Sequence, residues 1–174
     1  QGSFREVRFG QSFMKKIIKS IDLGGKTLTL EVGRFAQQAH GAVLVTIGET
    51  MVLATVVSSL PREGINYFPL SVEYVERLYA GGIIKGSRWV KREGRASDDA
   101  ILTARLIDRC VRPLFPKGYK NEVQIIVTVL SVYGVNDPDM LGVLGASAAF
   151  AISSIPWNGP IAVSRVGHVP DGGF

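Results

Sequence analysis

The chain has 174 residues, and its 20 lysines and arginines against 15 aspartates and glutamates give a formal net charge of +5. Hydrophobic residues make up 46% and charged residues 20%, a balance that excludes a disordered polymer and favours one domain with a real core. A single cysteine, Cys110, excludes a disulfide framework and a four-cysteine zinc site, and indicates a reducing compartment. Apolar stretches stop well short of the roughly 20 residues that span a bilayer, and no signal peptide opens the chain, so we expect a cytoplasmic protein without membrane segments.

The first half of the chain has the alternating pattern of β-strands. Lys26–Arg34 alternates leucine and valine with threonine and glutamate, which predicts a half-buried strand. Ala42–Ile47 and Met51–Val57 are both rich in β-branched residues, and the short Gly48–Thr50 between them predicts a hairpin. Tyr67–Val75 has the same alternation and predicts a further strand.

The second half combines helices with strands. Ser97 is a good N-cap for a helix that runs to about Arg112, where prolines follow. The apolar segment Val123–Val132 predicts a strand buried on both faces. A second helix, rich in glycine and alanine for close packing, is expected over 137–154, and Ile161–Val169 is expected to be a last strand. Strands with two helices packed on one side predict an α+β fold.

The segment between the two halves is strongly basic and punctuated by glycine. Around Trp89 stand five cations against one acid, Glu93, and these cations are Lys85, Arg88, Lys91, Arg92 and Arg95. Cationic side chains neutralise phosphates, and an indole offers a base a stacking surface, so the segment could bind RNA or another polyanion. The alternative is a solvated charged loop whose tryptophan packs onto the body of the protein.

Three arginines of the first predicted helix share one face. Arg105, Arg109 and Arg112 are spaced i, i+4 and i+7, so they could extend the basic surface or hold a phosphate through paired hydrogen bonds. The alternative is pairing within the helix, because Asp108 precedes Arg112 by four residues. The residues alone leave both interpretations open.

Nucleophilic and metal chemistry have little support in the sequence. His40 and His168 have no partner at ligand spacing, and Cys110 is expected in the core. Asp137 and Asp139 bracket a proline and are expected to serve a turn or a helix N-cap. We therefore assign no catalytic residue and no metal ligand to this chain.

Several segments together resemble the first ribonuclease PH-like core domain of the bacterial polynucleotide phosphorylase family. They are Gly33–Val45, Gly48–Val56, Phe68–Leu70, Gly94–Ser97, Arg105–Pro116, Asn121–Gln124 and Asp137–Met140. The resemblance extends from about Phe13 to Gly167. It implies an α+β domain of the βαβα type, with a mixed or antiparallel sheet, over residues 13–174. That domain is expected to be incomplete at its C-terminal end and to follow a tag or extension over residues 1–12.

The resemblance implies the activity of a phosphorolytic 3′→5′ exoribonuclease, a polyribonucleotide nucleotidyltransferase that uses inorganic phosphate and Mg²⁺ or Mn²⁺. Family members have a second core domain, KH and OB-type modules, and a homotrimeric ring whose pore admits single-stranded RNA. Their phosphate-binding and catalytic residues belong mainly to the second core domain, so this chain alone is expected to be inactive. The alternatives are a non-catalytic module that binds RNA and forms rings, and a stand-alone ribonuclease PH or exosome-type subunit.

The resemblance also implies which residues grip RNA. The family commonly has Phe-Phe-Arg-Arg before Glu-Gly-Arg, and the corresponding stretch here is 88–92, with one inserted residue and with Trp89 and Val90 in place of the phenylalanines. The helix arginines match family arginines near the RNA path. The RNA-binding residues expected from this match are Arg88, Trp89, Lys91, Arg92, Arg95, Arg105, Arg109 and Arg112.

Overall fold

The computed structural model describes residues 15–61, 63–84 and 94–169, which form one six-stranded sheet and two α-helices. The strands are β1 (Ile17–Leu23), β2 (Lys26–Val32), β3 (Gly41–Ile47), β4 (Thr50–Ser59), β5 (Leu70–Val75) and β6 (Glu122–Ser131). The helices are α1 (Asp98–Val111) and α2 (Pro138–Ile152), and short 3₁₀ turns occupy Leu78–Gly81 and Arg112–Leu114. No helix in these ranges has both the length and the apolar character that a bilayer crossing requires.

The strand order is β1-β2-β3-β4-β6-β5, and every pair is antiparallel except β5 with β6. The hairpin predicted around residues 48–50 is confirmed, since β3 and β4 pair from Ile47 with Thr50 to Gly41 with Val56. Parallel neighbours need a crossover connection, and α1 lies in the connection from β5 to β6. This topology places α1 beside β5, the last strand of the sheet.

Both helices pack on one face of the sheet. α2 lies over β3 and β4, whereas α1 lies against β5 and touches α2. The approach of α2 depends on Gly145, where a Cβ atom would stand 2.9 Å from the Cβ of Ala54 and 3.1 Å from Cγ2 of Val45. This close contact is the reason for the small residues in the predicted second helix, and the α+β prediction is confirmed.

The strand β6 differs from the expectation that it is buried on both faces. Burial alternates along it: Val123, Ile125 and Val127 are fully buried, while Gln124 between them is exposed. The reason is that the helices cover only one face of the sheet, so every second residue lacks a layer above it.

Two further elements differ from the sequence prediction. The first strand, Ile17–Leu23, was not expected; all seven of its residues are exposed, and it pairs with β2 alone within the described ranges. The predicted strand Ile161–Val169 is wrong, because residues 161–168 contain no strand. This segment is instead held to α2, where the amide of Ile161 donates to Oγ of Ser147 at 2.9 Å, and to the start of α2, where Arg165 pairs with Asp137 and Asp139.

Candidate nucleic-acid interface

The helix α1 begins at a cap that ties it to the end of β5. Oγ of Ser97 accepts from the amide of Ala100 at 3.0 Å, and the same hydroxyl donates to Oε2 of Glu76 at 2.8 Å. Asp98 and Asp99 occupy the first turn, where carboxylates complement the helix dipole. The N-cap prediction is confirmed, and the cap fixes the direction in which α1 leaves the sheet.

The other end of α1 is held to the beginning of β5 by Arg112. Its guanidinium contacts both carboxylate oxygens of Asp108, at 2.6 and 3.1 Å. It also donates to the carbonyl oxygens of Phe68 at 3.3 Å and Leu70 at 3.2 Å, and it lies over the Phe68 ring at 5.7 Å. The pairing expected as the alternative for Arg112 is therefore confirmed, and four of its donor contacts are made within the protein.

The two remaining arginines of the helix have a different environment. Arg105 and Arg109 are exposed, and neither forms an ion pair or a hydrogen bond with another residue in the described part of the chain. Leu102 on the same outer surface has an exposed fraction of 63%. Cys110, expected in the core, is only half-buried, because α1 turns this side away from the sheet. Of the three arginines, Arg112 thus has a structural role, whereas Arg105 and Arg109 are free to bind an anion.

The basic segment is described only at its C-terminal end. Arg95 is exposed and stands two residues before the cap of α1. Arg88, Trp89, Lys91 and Arg92 lie outside the described residues, so their assignment to RNA binding remains a prediction.

A groove of about 850 Å³ runs between β5 and α1. Leu70 and Val72 line it from the strand, and Ile101 and Ala104 line it from the helix. Arg105 also borders the groove, so one of the two open guanidinium groups lies at an apolar slot.

The remaining candidates have structural partners. Nδ1 of His40 accepts from the amide of Ser58 at 3.2 Å. Asp137 stands at the N-cap position of α2 without a side-chain cap bond; it pairs with Arg165, as does Asp139. The cap expected of Asp137 is therefore replaced by an ion pair to a residue 28 positions later, which no local sequence signal marks.

Two titratable groups have perturbed pKa values. The Lys16 ammonium, 2.9 Å from Glu31, lowers the pKa of that carboxyl, and Arg34 adds to the effect against the opposing influence of burial. Burial raises the pKa of Tyr74, whose hydroxyl has no hydrogen-bond partner in the described ranges. Glu31 is therefore held ionised and Tyr74 protonated near neutral pH.

Comparison with known proteins gives the family. The model of the 3′ exoribonuclease family, domain 1 (RNase PH), matches residues 24–156. The polyribonucleotide nucleotidyltransferase of Roseiflexus sp. (strain RS-1) is 59% identical over 151 residues, covering 86% of this chain and 20% of the relative. That of Thermomicrobium roseum is 57% identical over 152 residues, covering 87% of this chain and 19% of the relative. The chain thus spans about a fifth of the length of these relatives.

Solved structures agree on the fold. Rice (Oryza sativa) Rrp46 superposes with a TM-score of 0.53 at 17% identity, over 82% of this chain and 58% of that one. A chain of the Archaeoglobus fulgidus exosome with RNA bound to the active site gives a TM-score of 0.54 at 18% identity, over 86% and 59%. With the family match and the named relatives, the resemblance to the first core domain of polynucleotide phosphorylases is confirmed. The chain belongs to the 3′ exoribonuclease family and matches its domain 1.

Proposed function

We propose that this chain is the first core domain of a phosphorolytic 3′→5′ exoribonuclease, and that its own task is to bind single-stranded RNA and to form ring contacts. The family match and the relatives named polyribonucleotide nucleotidyltransferase support the activity. The observation that carries the RNA-binding part is the pair of exposed guanidinium groups of Arg105 and Arg109, which have no partner in the described ranges. They stand on a helix that follows a segment with five cations and one acid.

In this proposal, an oxygen of inorganic phosphate attacks the terminal phosphodiester of RNA and the last nucleotide leaves as a nucleoside diphosphate. Mg²⁺ or Mn²⁺ would neutralise the charge that develops on the phosphoryl oxygens. Nowhere in the described ranges do three histidine, cysteine or acidic side chains converge on a possible metal site, so these residues do not fit the ion. We therefore derive no step through the metal and assign the phosphate and metal sites to the second core domain of the longer protein.

The contribution of this chain is then electrostatic and positional. Guanidinium groups pair with phosphate oxygens through parallel N–H donors, and they do so along any sequence because the backbone is the same. Trp89 would supply a ring on which a base stacks. Such contacts hold the strand in register while the chemistry proceeds elsewhere in the assembly.

The assembly is part of the same proposal. We infer a homotrimeric ring, a second core domain and KH and OB-type modules in the full-length protein, and a cytoplasmic location. The support is the similarity to relatives about five times longer than this chain and the fold shared with an exosome chain.

Substitutions in the basic segment test RNA binding by their different effects on the salt dependence of the affinity. Lys91→Ala/Arg92→Ala should reduce the slope of log K against log salt by about 1.4 for single-stranded RNA, because each neutralised phosphate contributes about 0.7. Trp89→Ala should lower the affinity for poly(A) about tenfold with little change in that slope, since stacking releases no counterions. Fluorescence anisotropy over a salt series measures both quantities.

Glu49→Gln, in the hairpin turn between β3 and β4, is the control and should leave both quantities unchanged. Poly(A) binding by both of these variants at the wild-type affinity and slope would contradict a role for the basic segment.

A further inference from the structure

The groove between β5 and α1 has the dimensions and walls of a small-molecule site. Its volume of about 850 Å³ lies in the range of ligand pockets, roughly 300–1,000 Å³. Leu70 and Val72 form one apolar wall, and Ile101 and Ala104 form the other. A flat group with apolar faces can therefore be buried between the strand and the helix, where it is removed from contact with water.

The strand side of the groove also offers backbone hydrogen-bonding groups. The carbonyl of Pro69 accepts from the amide of Val123 on β6, whereas the next carbonyl, that of Leu70, turns the other way and accepts from Arg112. Strand backbone groups alternate with a period of two, and the N–H and C=O of one residue point to the same side. The N–H and C=O of Val72 therefore point away from β6, to the side on which Arg112 at the end of α1 reaches Leu70, and no strand in the described ranges pairs with that edge of β5.

Some of the charged side chains around the groove have partners within the protein, and others do not. Glu76 is engaged by the Ser97 hydroxyl and Asp108 by Arg112, so these two acids of the lining already have partners. Arg95 and Arg105 also border the groove, and neither forms an ion pair or a hydrogen bond within the described residues. Glu73 is the remaining acid of the lining. Of the other two arginines of the lining, Arg112 pairs with Asp108 and Arg77 also has a partner, so the open charge at the groove is two guanidinium groups against one carboxylate.

We propose that this groove is a nucleobase subsite for single-stranded RNA. One base lies between Val72 and Ala104, its polar edge meets the N–H and C=O of Val72, and Arg105 holds an adjacent phosphate. This inference rests on the proposed function and adds to it a place where a base, and not only the backbone, is recognised. RNA carries a phosphate charge at every nucleotide, whereas an extended peptide would use the same strand edge but carries carboxylates only at its acidic residues and its C-terminus. The open guanidinium groups of Arg95 and Arg105 therefore favour RNA.

The test separates base recognition from backbone binding. Two fluorescein-labelled 12-mers are compared in anisotropy titrations: oligo(A), and an oligoribonucleotide of the same length without bases. Ala104→Phe fills the slot and should weaken oligo(A) about tenfold while leaving the abasic strand unchanged. Arg105→Ala should weaken both strands and lower the salt slope by about 0.7, because it removes one phosphate contact.

Leu102→Phe is the matched control, because the same ring is added to the same helix at a site that is 63% exposed and outside the groove. Ala104→Leu fills the slot with a smaller group, and circular dichroism on all variants shows whether each is folded.

The outcomes distinguish this inference from the proposed function. Equal affinity of the wild type and both Ala104 variants for oligo(A) overturns the base subsite and leaves RNA binding intact. Equal weakening of both strands by Ala104→Phe, or weakening by Leu102→Phe to the same degree, also overturns it. Failure of the wild type to bind either strand overturns both proposals. An extended peptide that occupies the groove without displacing oligo(A) assigns it to a protein partner and overturns the subsite.

Discussion

At the scale of single residues, three arginines that share one helical face have two different roles. Arg112 donates hydrogen bonds to Asp108 and to two carbonyl oxygens of the strand region, while Arg105 and Arg109 are exposed to solvent. Since guanidinium has five N–H donors in a fixed plane, a site that engages several of them orders the side chain. Arg112 therefore stabilises the frame that presents the other two.

Substitution of Arg112 should destabilise the fold. Arg112→Ala removes the charged hydrogen bonds between α1 and β5 and should lower the free energy of unfolding by about 1–3 kcal/mol. Arg112→Lys should recover little of this, because an ammonium cannot reproduce the planar fork. Urea denaturation followed by circular dichroism measures the loss. Arg109→Ala is the control on the same helix and should change stability by less than about 0.5 kcal/mol. A loss no larger in Arg112→Ala than in that control would mean that the contacts are too solvated to matter.

The separate fate of Arg112 shows where sequence reasoning stops. Spacing places the three arginines on one helical face, and it also marks the i, i+4 pair with Asp108. It cannot show that Phe68 and Leu70, 44 and 42 residues earlier, turn their carbonyls toward the same guanidinium. Those contacts depend on how α1 docks beside β5, which is set by the tertiary fold.

At the scale of elements, α1 is attached to the sheet at both of its ends. Ser97 and Glu76 fix its beginning, and Arg112 fixes its end. Ser97 satisfies one of the amides left open in the first turn and in addition donates to a carboxylate that follows β5. The groove between the two elements is therefore bounded by two tethers, and its width depends on them.

Loss of the cap should weaken this attachment. Ser97→Ala removes both hydroxyl contacts and should cost about 0.5–2 kcal/mol of stability. Ser97→Thr retains a hydroxyl that can accept from Ala100 and donate to Glu76, and should stay within about 0.5 kcal/mol of the wild type. Thermal denaturation gives the stability, and amide hydrogen exchange at the first turn of α1 shows where protection is lost. Unchanged hydrogen exchange in that turn of the Ser97→Ala variant would show that the cap does not stabilise the helix.

The elements that the sequence predicts correctly are those with a local signal, either a hydrophobic pattern or a capping residue. Strands β2 and β5 alternate in hydrophobicity, β3 and β4 are rich in β-branched residues, and the two helices have a capping serine or an Asp-Pro start. The strand β1 was missed because it is exposed throughout and buries no face that would impose a pattern. Residues 161–168 have strand-like composition but contact α2, and composition does not say which neighbour a segment meets.

At the scale of the whole molecule, aromatic packing joins the helices to the segment that follows them. Phe115 and Phe150 meet edge to face at 5.5 Å between centroids, and Trp157 stacks on Phe150 at 5.0 Å. The indole of Trp157 also donates to the carbonyl of Val111 at the end of α1, at 3.2 Å. One cluster thus links both helices and the extended segment, so the surface of α1 is held by the core as well as by its two tethers.

The charged and potential metal-binding side chains of the described residues predict whether this chain can carry out phosphorolysis alone. Arg105 and Arg109 carry open guanidinium groups suited to phosphates, whereas Asp137 and Asp139 pair with Arg165, and no three potential metal ligands converge within the described residues. The 174-residue chain, incubated with labelled single-stranded RNA, inorganic phosphate and Mg²⁺, should therefore bind RNA and release no nucleoside diphosphate. Thin-layer chromatography detects the product, with a full-length polyribonucleotide nucleotidyltransferase as positive control. Release of nucleoside diphosphate by the chain alone, at a rate that follows its concentration, would show that the phosphorolytic groups lie within these residues.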